Sequence, residues 1–398
     1  MLNIGTKQPI RVTRRENRIQ ASAVIEVDEV RSRHQRNAFV RVPWNIYKDD
    51  PLWVPPLLME RKEFINPNKH PFFLHGAATQ FLASMNGQWV GRILVSDDAH
   101  YNATHGSNTG CFGMFESIDE PRVAHALLSA AAGWLRARGR THMLGPIDYS
   151  TNYSCGLLVD GFDTPPRVLM NHNPPYYARL IESWGFTKAK DLWDWWIDLG
   201  GELPRRWMAR CENLRRRSGA VIRPFRLDDA KAEIDRCKAV YNQAWDKNWG
   251  FVKMTDAEFA YFAKDLLDWV PPELLLIAEV DGKPVGLTMA LPDFNEALRP
   301  LDGRIFRWGM PLGLLQFRRN CRRIRSARLI ALGVLEAYRR RGLVQLLIAE
   351  VMQSGLRQGY TGAACGWTLE DNDAINRAIA MTGATRYKTY RIYEKTID

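Results

Sequence analysis

Leu329-Ile330-Ala331-Leu332-Gly333-Val334-Leu335 is an apolar run, followed by Glu336-Ala337-Tyr338 and by Arg339-Arg340-Arg341-Gly342-Leu343-Val344, which lead directly into Gln345 to Ser354. The run has the length and composition of a buried strand, and the spacing of apolar residues after Gly342 is that of a helix. A strand that passes through a basic, glycine-containing turn into a helix directs free backbone N–H groups and the positive end of the helix dipole towards one point. A pyrophosphate fits such a point. The candidate ligands are the backbone of Arg339, Arg340, Arg341, Gly342, Leu343 and Val344, with Leu332 and Val334 on the adjoining strand.

Outward from this loop the chain repeats itself. Residues 81–91 (FLASMNGQWVG) and 276–286 (LIAEVDGKPVG) both read as strand, two-residue turn, strand. Asn-Gly and Asp-Gly predict type I′ hairpins. Near the end of each half, Trp184-Gly185-Phe186-Thr187-Lys188-Ala189-Lys190 matches Thr382-Gly383-Ala384-Thr385-Arg386-Tyr387-Lys388, with Gly, Thr and Lys at equal offsets. These matches predict a duplicated mixed α/β (α+β) unit, two copies in tandem packed as a pseudo-dimer. In the first copy, strands are expected at 109–117 and 142–149, helices at 122–139 and 176–183, and a last strand through Trp193, Trp195 and Trp196. In the second, strands are expected at 328–335, 361–368 and 387–394, and helices at 342–355 and 373–381. The predicted division is a flexible arm at 1–22, a first unit at 23–200, a linker at 201–218 and a second unit at 219–398.

The 398 residues suit two cores rather than one. Six scattered cysteines with no CxxC pair argue against a disulfide framework or zinc ribbon. With a polar, basic first stretch and no long apolar run, a cytoplasmic protein is expected. The net charge of +11 calls for an anionic partner. Eight arginines lie between Arg304 and Leu335 with no acid among them, interleaved with Phe306, Trp308, Leu312, Leu314, Leu315 and Phe317. Together with the stretch from Trp44 to Met59, this composition suits peripheral contact with the anionic inner face of a membrane, and a tryptophan-rich core gives the same composition.

At Arg339 and Gly342 the chain resembles the GNAT superfamily of acyl-CoA N-acyltransferases, whose loop reads Arg/Gln-x-x-Gly-x-Gly/Ala; Val344 departs at the last position. Trp367-Thr368-Leu369-Glu370-Asp371-Asn372, a helix and Gly383 look like the family's closing segment. There the family commonly places a tyrosine four residues before the glycine, near the leaving thiolate, and this chain has Ile379. The first half has a similar closing segment from Asn173 to Phe186, but its turn Ile118-Asp119-Glu120-Pro121 is acidic and lacks the glycine. The resemblance therefore implies acyl-CoA in the second unit and a structural or acceptor-shaping first unit. His70 to Gly76, Gly156 to Asp163, Asn173 to Tyr177 and Tyr390 to Lys395 are together similar to a bacterial group of tandem GNAT-like proteins that includes the ceramide synthases. That likeness implies transfer of a long fatty acyl chain to the amine of a sphingoid base.

Acyl transfer from a thioester needs a base for the amine and help for the departing sulfur. All eight histidines lie in the first half. The candidates are Glu370 and Asn372 at the end of a strand, where each also suits a helix cap, and His75 and His172 presented from the first unit. No cluster has metal-ligand spacing, so no metal is expected. Two other readings stay open: an acetyltransferase on a small soluble amine or protein lysine, and a non-catalytic module holding a nucleotide, RNA or partner. The lack of any recognised nucleic-acid motif counts against RNA.

Overall fold

A computed structural model describes residues 24–306 and 309–397. The arm predicted at 1–22 and Trp308 of the arginine segment lie outside the described residues. The first half supplies β1 (Ile25–Glu29), α1 (Arg33–Ile46), α2 (Leu58–Phe64), β2 (Gly76–Met85), β3 (Gln88–Asp98), α3 (Ala99–His105), β4 (Thr109–Ser117), α4 (Pro121–Arg136), β5 (His142–Gly145), β6 (Leu157–Asp160), α5 (Tyr177–Ser183) and β7 (Thr187–Asp198). After α6 (Glu202–Ser218) come β8 (Ala220–Pro224), α7 (Ala230–Ala244), α8 (Asp256–Leu267), β9 (Leu275–Val280), β10 (Lys283–Pro292), α9 (Phe294–Leu298), α10 (Leu312–Cys321), β11 (Ser326–Val334), α11 (Leu343–Arg357), β12 (Gly362–Leu369), α12 (Asp373–Ala380) and β13 (Thr385–Thr396).

The strands form one continuous sheet in the order β1-β2-β3-β4-β5-β13-β7-β12-β11-β10-β9-β8, with β6 paired to β13 off this path. Its two parallel pairs, β4 with β5 and β11 with β12, occupy equivalent places in the two halves. The last strands are exchanged. β13 enters the first half, pairing Tyr393 with Gly145 of β5, while β7 enters the second, pairing Ala364 of β12 with Trp196. The two exchanged strands also pair with each other, as Tyr390 with Leu192 and Thr389 with Trp193.

Local chemistry accounts for the elements. Both hairpins turn through positive φ at both central residues, Asn86 (54°) with Gly87 (75°) and Asp281 (51°) with Gly282 (71°), as a type I′ turn requires. Pro121 opens α4, which buries Val123, Ala124, Leu127, Leu128, Ala131, Ala132 and Leu135 on one face. In the other half, α11 buries Leu343, Leu346, Leu347 and Ile348 over β10 and β11. The segment expected as a linker at 201–218 forms α6, whose Trp207, Met208 and Cys211 belong to the second core. The strand expected at 142–149 stops at Gly145, because Ile147 and Asp148 fold against Gly113 of β4, where Asp148 Oδ1 accepts the Met114 N–H at 2.9 Å.

Candidate active site

The two halves differ where their parallel strands separate. β11 and β12 pair from Ser326 with Gly362 to Leu329 with Cys365 and then diverge. Beyond that, residues 331–334 pair only with β10 and residues 368–369 only with β7, so a V opens with a backbone edge on each arm. An amide-bearing chain can add to such an edge as a strand would. In the first half Asp148 already takes the corresponding N–H. The helix starts differ in the same sense. Glu120 caps α4 with its own carboxylate through the Arg122 N–H, whereas no side chain caps α11. Gly342 opens α11 at φ 74°, a conformation in which a side chain is strained. The second half thus keeps both the uncapped helix start and the open V that an extended phosphorylated thioester would use.

Around the loop, Arg339 turns inward. Its guanidinium donates to Val334 O and Ala244 O, both at 3.1 Å, and so ties the loop to the ends of β11 and α7. Arg340 and Arg341 are exposed, and the Arg341 guanidinium lies 5.3 Å from the Tyr338 ring centre. Leu343 and Val334 are buried in the core beneath α11, with Leu332 and Val344 packed partly against it. Leu214 of α6 lies over Gly342.

At the apex of the V, on the sheet face away from α11, is a buried polar group. Asp194 of β7 lies against Gly366 of β12, where a methyl group would collide with its Oδ1. Asp194 accepts hydrogen bonds from the Trp195 N–H (3.0 Å) and the Tyr387 hydroxyl (2.9 Å). Arg328 of β11 donates to Gly366 O at 2.9 Å and to Val168 O at 2.8 Å. Lys388 donates to Gly161 O and Thr164 O. Burial raises Asp194 above the usual carboxylate range and brings Lys388 down to about 8, the larger cause in each case. Residues 161–171 of the first half roof this centre, held by Arg167 to Asp293 Oδ2 (3.1 Å) and by the Val168 N–H to Asp293 Oδ1 (2.8 Å). Three buried polar atoms here lack partners among the described residues: Tyr390 OH, Thr164 Oγ1 and Arg167 Nε. Orphans of this kind are uncommon in folded proteins and are expected where a bound group completes the site. Beside them Tyr101, Phe162, Met170, Trp249 and Trp367, drawn from both halves, form a partly exposed apolar wall over Cys155, Leu158 and Leu192.

The remaining sequence candidates are dispersed. Glu370 accepts from Lys188 Nζ (2.7 Å) and the Asp191 N–H (3.0 Å), and Asn372 caps α12 through the Ile375 N–H. His172 is buried in the first half with Nε2 2.7 Å from Asp50, and burial lowers its pKa. His75 joins the halves. Its Nδ1 lies 3.2 Å from Asp98 and its Nε2 3.3 Å from Glu258 of α8, the latter an ion-pair contact without hydrogen-bond alignment. His75, Asp98 and His100 bring ligand-type atoms within 4.8 Å of one another, but the two rings stack in parallel at 4.3 Å, so no single ion lies in both ring planes. Ile379, at the position of the family tyrosine, lines an apolar void of about 30 Å³ beneath α11. That is far too small for an acyl chain.

The acetyltransferase (GNAT) family model matches residues 237–380. The chain is 35% identical over 381 residues to the bacterial ceramide synthase of Caulobacter vibrioides (strain NA1000 / CB15N), covering 94% of this chain and 98% of that protein. This chain belongs to the GNAT family of acyltransferases. It is equally 35% identical, over 375 residues, to protein YghO of Escherichia coli (strain K12), covering 92% and 94%. A tandem GNAT protein from the clavulanic acid biosynthesis pathway aligns with a TM-score of 0.55 and 13% identity over 94% of this chain and 99% of that one, a likeness of fold. As a GNAT N-acyltransferase, the chain has a fold that generally uses acyl-CoA. Sequence reasoning missed Asp194, Arg328, Tyr387, Lys388 and Tyr390 in this GNAT chain. A signal was present at Asp194, whose same-face neighbours Leu192 and Trp196 are apolar, so a lone carboxylate there points into a core.

Proposed function

We propose that the protein transfers a long-chain fatty acyl group from acyl-CoA to the amine of a sphingoid base at the inner face of the cytoplasmic membrane. The observation that carries the reading is the asymmetry of the two halves: only one keeps an open V and an uncapped, glycine-led helix start, and an apolar wall from both halves stands beside its apex. An acceptor with a hydrocarbon tail suits that wall better than a small polar amine. The 35% identity to a protein named bacterial ceramide synthase supports the same acceptor class.

In this reading the backbone N–H groups of Gly342 to Val344 receive the pyrophosphate. Asp194, its basicity raised by burial, accepts the proton that the amine loses as nitrogen bonds to the thioester carbon. The Tyr390 hydroxyl, without a partner among the described residues, donates to the carbonyl oxygen as negative charge builds there. When the carbon–sulfur bond breaks, Asp194 returns its proton to the thiolate. Glu370 and Asn372 then position strand and helix ends, His75 joins the two units and His172 holds the first.

The test is product detection by mass spectrometry after incubating the pure protein in detergent with 3-oxosphinganine and either acetyl-CoA or palmitoyl-CoA. A long-chain N-acyl product supports the proposal. Acetylation alone, or no product with either donor, overturns it.

A further inference from the structure

The segment 44–59 and the arginine-rich segment, more than two hundred residues apart in the chain, meet in space. Leu58 N–H donates to Gly303 O at 3.0 Å, and Trp44 Nε1 donates to Asp302 Oδ1 at 2.8 Å. Arg299 donates to Pro51 O, and Gly303, at φ 70°, lies against the Trp44 ring. The result is one surface to which both halves contribute. On it Met59, Phe306, Met310 and Leu315 are each at least half exposed, and Leu312 is about one third exposed. Leu312, Leu315, Arg319 and Arg322 follow the spacing of one face of α10 and its continuation. Arg304, Arg318, Arg319, Arg322, Arg323 and Arg325 are all exposed. Among the described residues, Arg318, Arg319, Arg322 and Arg323 make no ion pair, and no acid lies between Arg304 and Arg325.

We infer that this surface docks the protein on an anionic lipid bilayer, with Met59, Phe306, Met310, Leu312 and Leu315 entering the headgroup region and the arginines meeting the lipid phosphates. The inference rests on the lipid-acceptor reading above and adds the face through which the acceptor's membrane is approached. Unpaired arginines alone would suit any polyanion. Five exposed apolar side chains among them favour a surface with a hydrocarbon interior, because nucleic acid backbones offer no place to bury them. The placement is also apt. The surface ends at Ser326, the first residue of β11, and the apex of the V lies three to four residues further along that strand, about 10–13 Å away.

The experiment is cosedimentation of the full chain with vesicles of phosphatidylcholine alone or of equimolar phosphatidylcholine and phosphatidylglycerol. The expected result is binding to the anionic vesicles that falls with added salt. Each arginine near an anionic surface contributes about a fivefold factor, so R318A/R319A/R322A weakens binding about 100-fold. F306S/L315S, which keeps every charge, also weakens it, whereas R33A/R41A on exposed α1 positions does not. Both patch variants retain acylation of detergent-dispersed acceptor, because they do not touch the V. Equal binding of the patch variants and wild type, or tight single-stranded RNA binding with no vesicle binding, overturns the inference. The two readings fail separately: product in detergent without vesicle binding removes the docking surface alone, and vesicle binding without product removes the lipid acyltransferase alone.

Discussion

Replacing His75 with Gln removes a cation that joins the two halves, and the effect is predicted to depend on pH. The hydrogen bond to Asp98, then the ion-pair contact with Glu258, holds the imidazole protonated, with its pKa raised from 6.5 to about 9. That gap corresponds to roughly 3 kcal/mol, and the tenth of the side chain left exposed reduces it to about 2–3 kcal/mol. The folded pKa lies above the unfolded one, so the contribution is fully present below about pH 6.5, declines as pH rises, and is lost above about pH 9. Urea unfolding of wild type and His75→Gln between about pH 6 and about pH 9.5 measures it. Other groups titrate in this window, Lys388 among them at about 8, so the difference between the two proteins is the quantity that matters. The expected gap is greatest at the acid end and shrinks by about 2–3 kcal/mol towards the alkaline end. A gap that stays constant across the range refutes a charged His75 between Asp98 and Glu258.

Gly342→Asp places a side chain at φ 74° and a carboxylate where the pyrophosphate is expected; the backbone conformation alone costs about 1–2 kcal/mol and Leu214 must move aside, while CoA affinity measured by calorimetry on the folded variant falls below detection. Asp194→Asn keeps an amide oxygen for the Trp195 N–H and turns its NH2 to the Tyr387 oxygen, which then accepts instead of donating, but it cannot take a proton, so kcat should drop by about 10²–10⁴ with CoA affinity retained, and the acid limb of the pH–rate profile should disappear. Tyr390→Phe removes a hydroxyl that has no partner among the described residues; the melting temperature should hold or rise while kcat falls about tenfold or more, and unchanged kcat would exclude a role in the reaction. Trp249→Ala should raise KM for a long-chain amine far more than KM for CoA, read from steady-state rates with each substrate varied in turn.

The parts of the structure written in short stretches of sequence were readable as such. The Asn86-Gly87 and Asp281-Gly282 turns demand positive φ, and β4 runs from Thr109 to Ser117 as its apolar run suggests. The turn at Gly342 into a helix was legible too, since the glycine stands at φ 74° where α11 begins. Strand exchange is of another kind. Nothing in Thr385 to Thr396 states whether that strand lies beside β5 or β12, because both sites offer similar backbone and similar apolar neighbours. The polar apex was hidden for the same reason: Arg328, Asp194 and Lys388 lie on three strands, and each is a single charged residue that in isolation reads as solvent-facing. Histidines point to a base in the first unit because their side chains titrate near neutrality. Burial instead shifts a carboxylate at the apex, and burial cannot be read from one strand.

The placement of β13 between β5 and β7 makes the duplicated chain indivisible. Every other strand precedes it in order of synthesis, so the first unit leaves the ribosome without the strand that lies beside β5 in the folded protein. Cutting the gene between the repeats would yield two fragments, each missing a central strand and exposing a raw edge, rather than two half-proteins. If the proposed centre is the reacting one, proofreading is automatic: a molecule that has not been synthesised through β13 cannot bring Tyr387 and Tyr390 to Asp194, so truncated products would be silent rather than faulty.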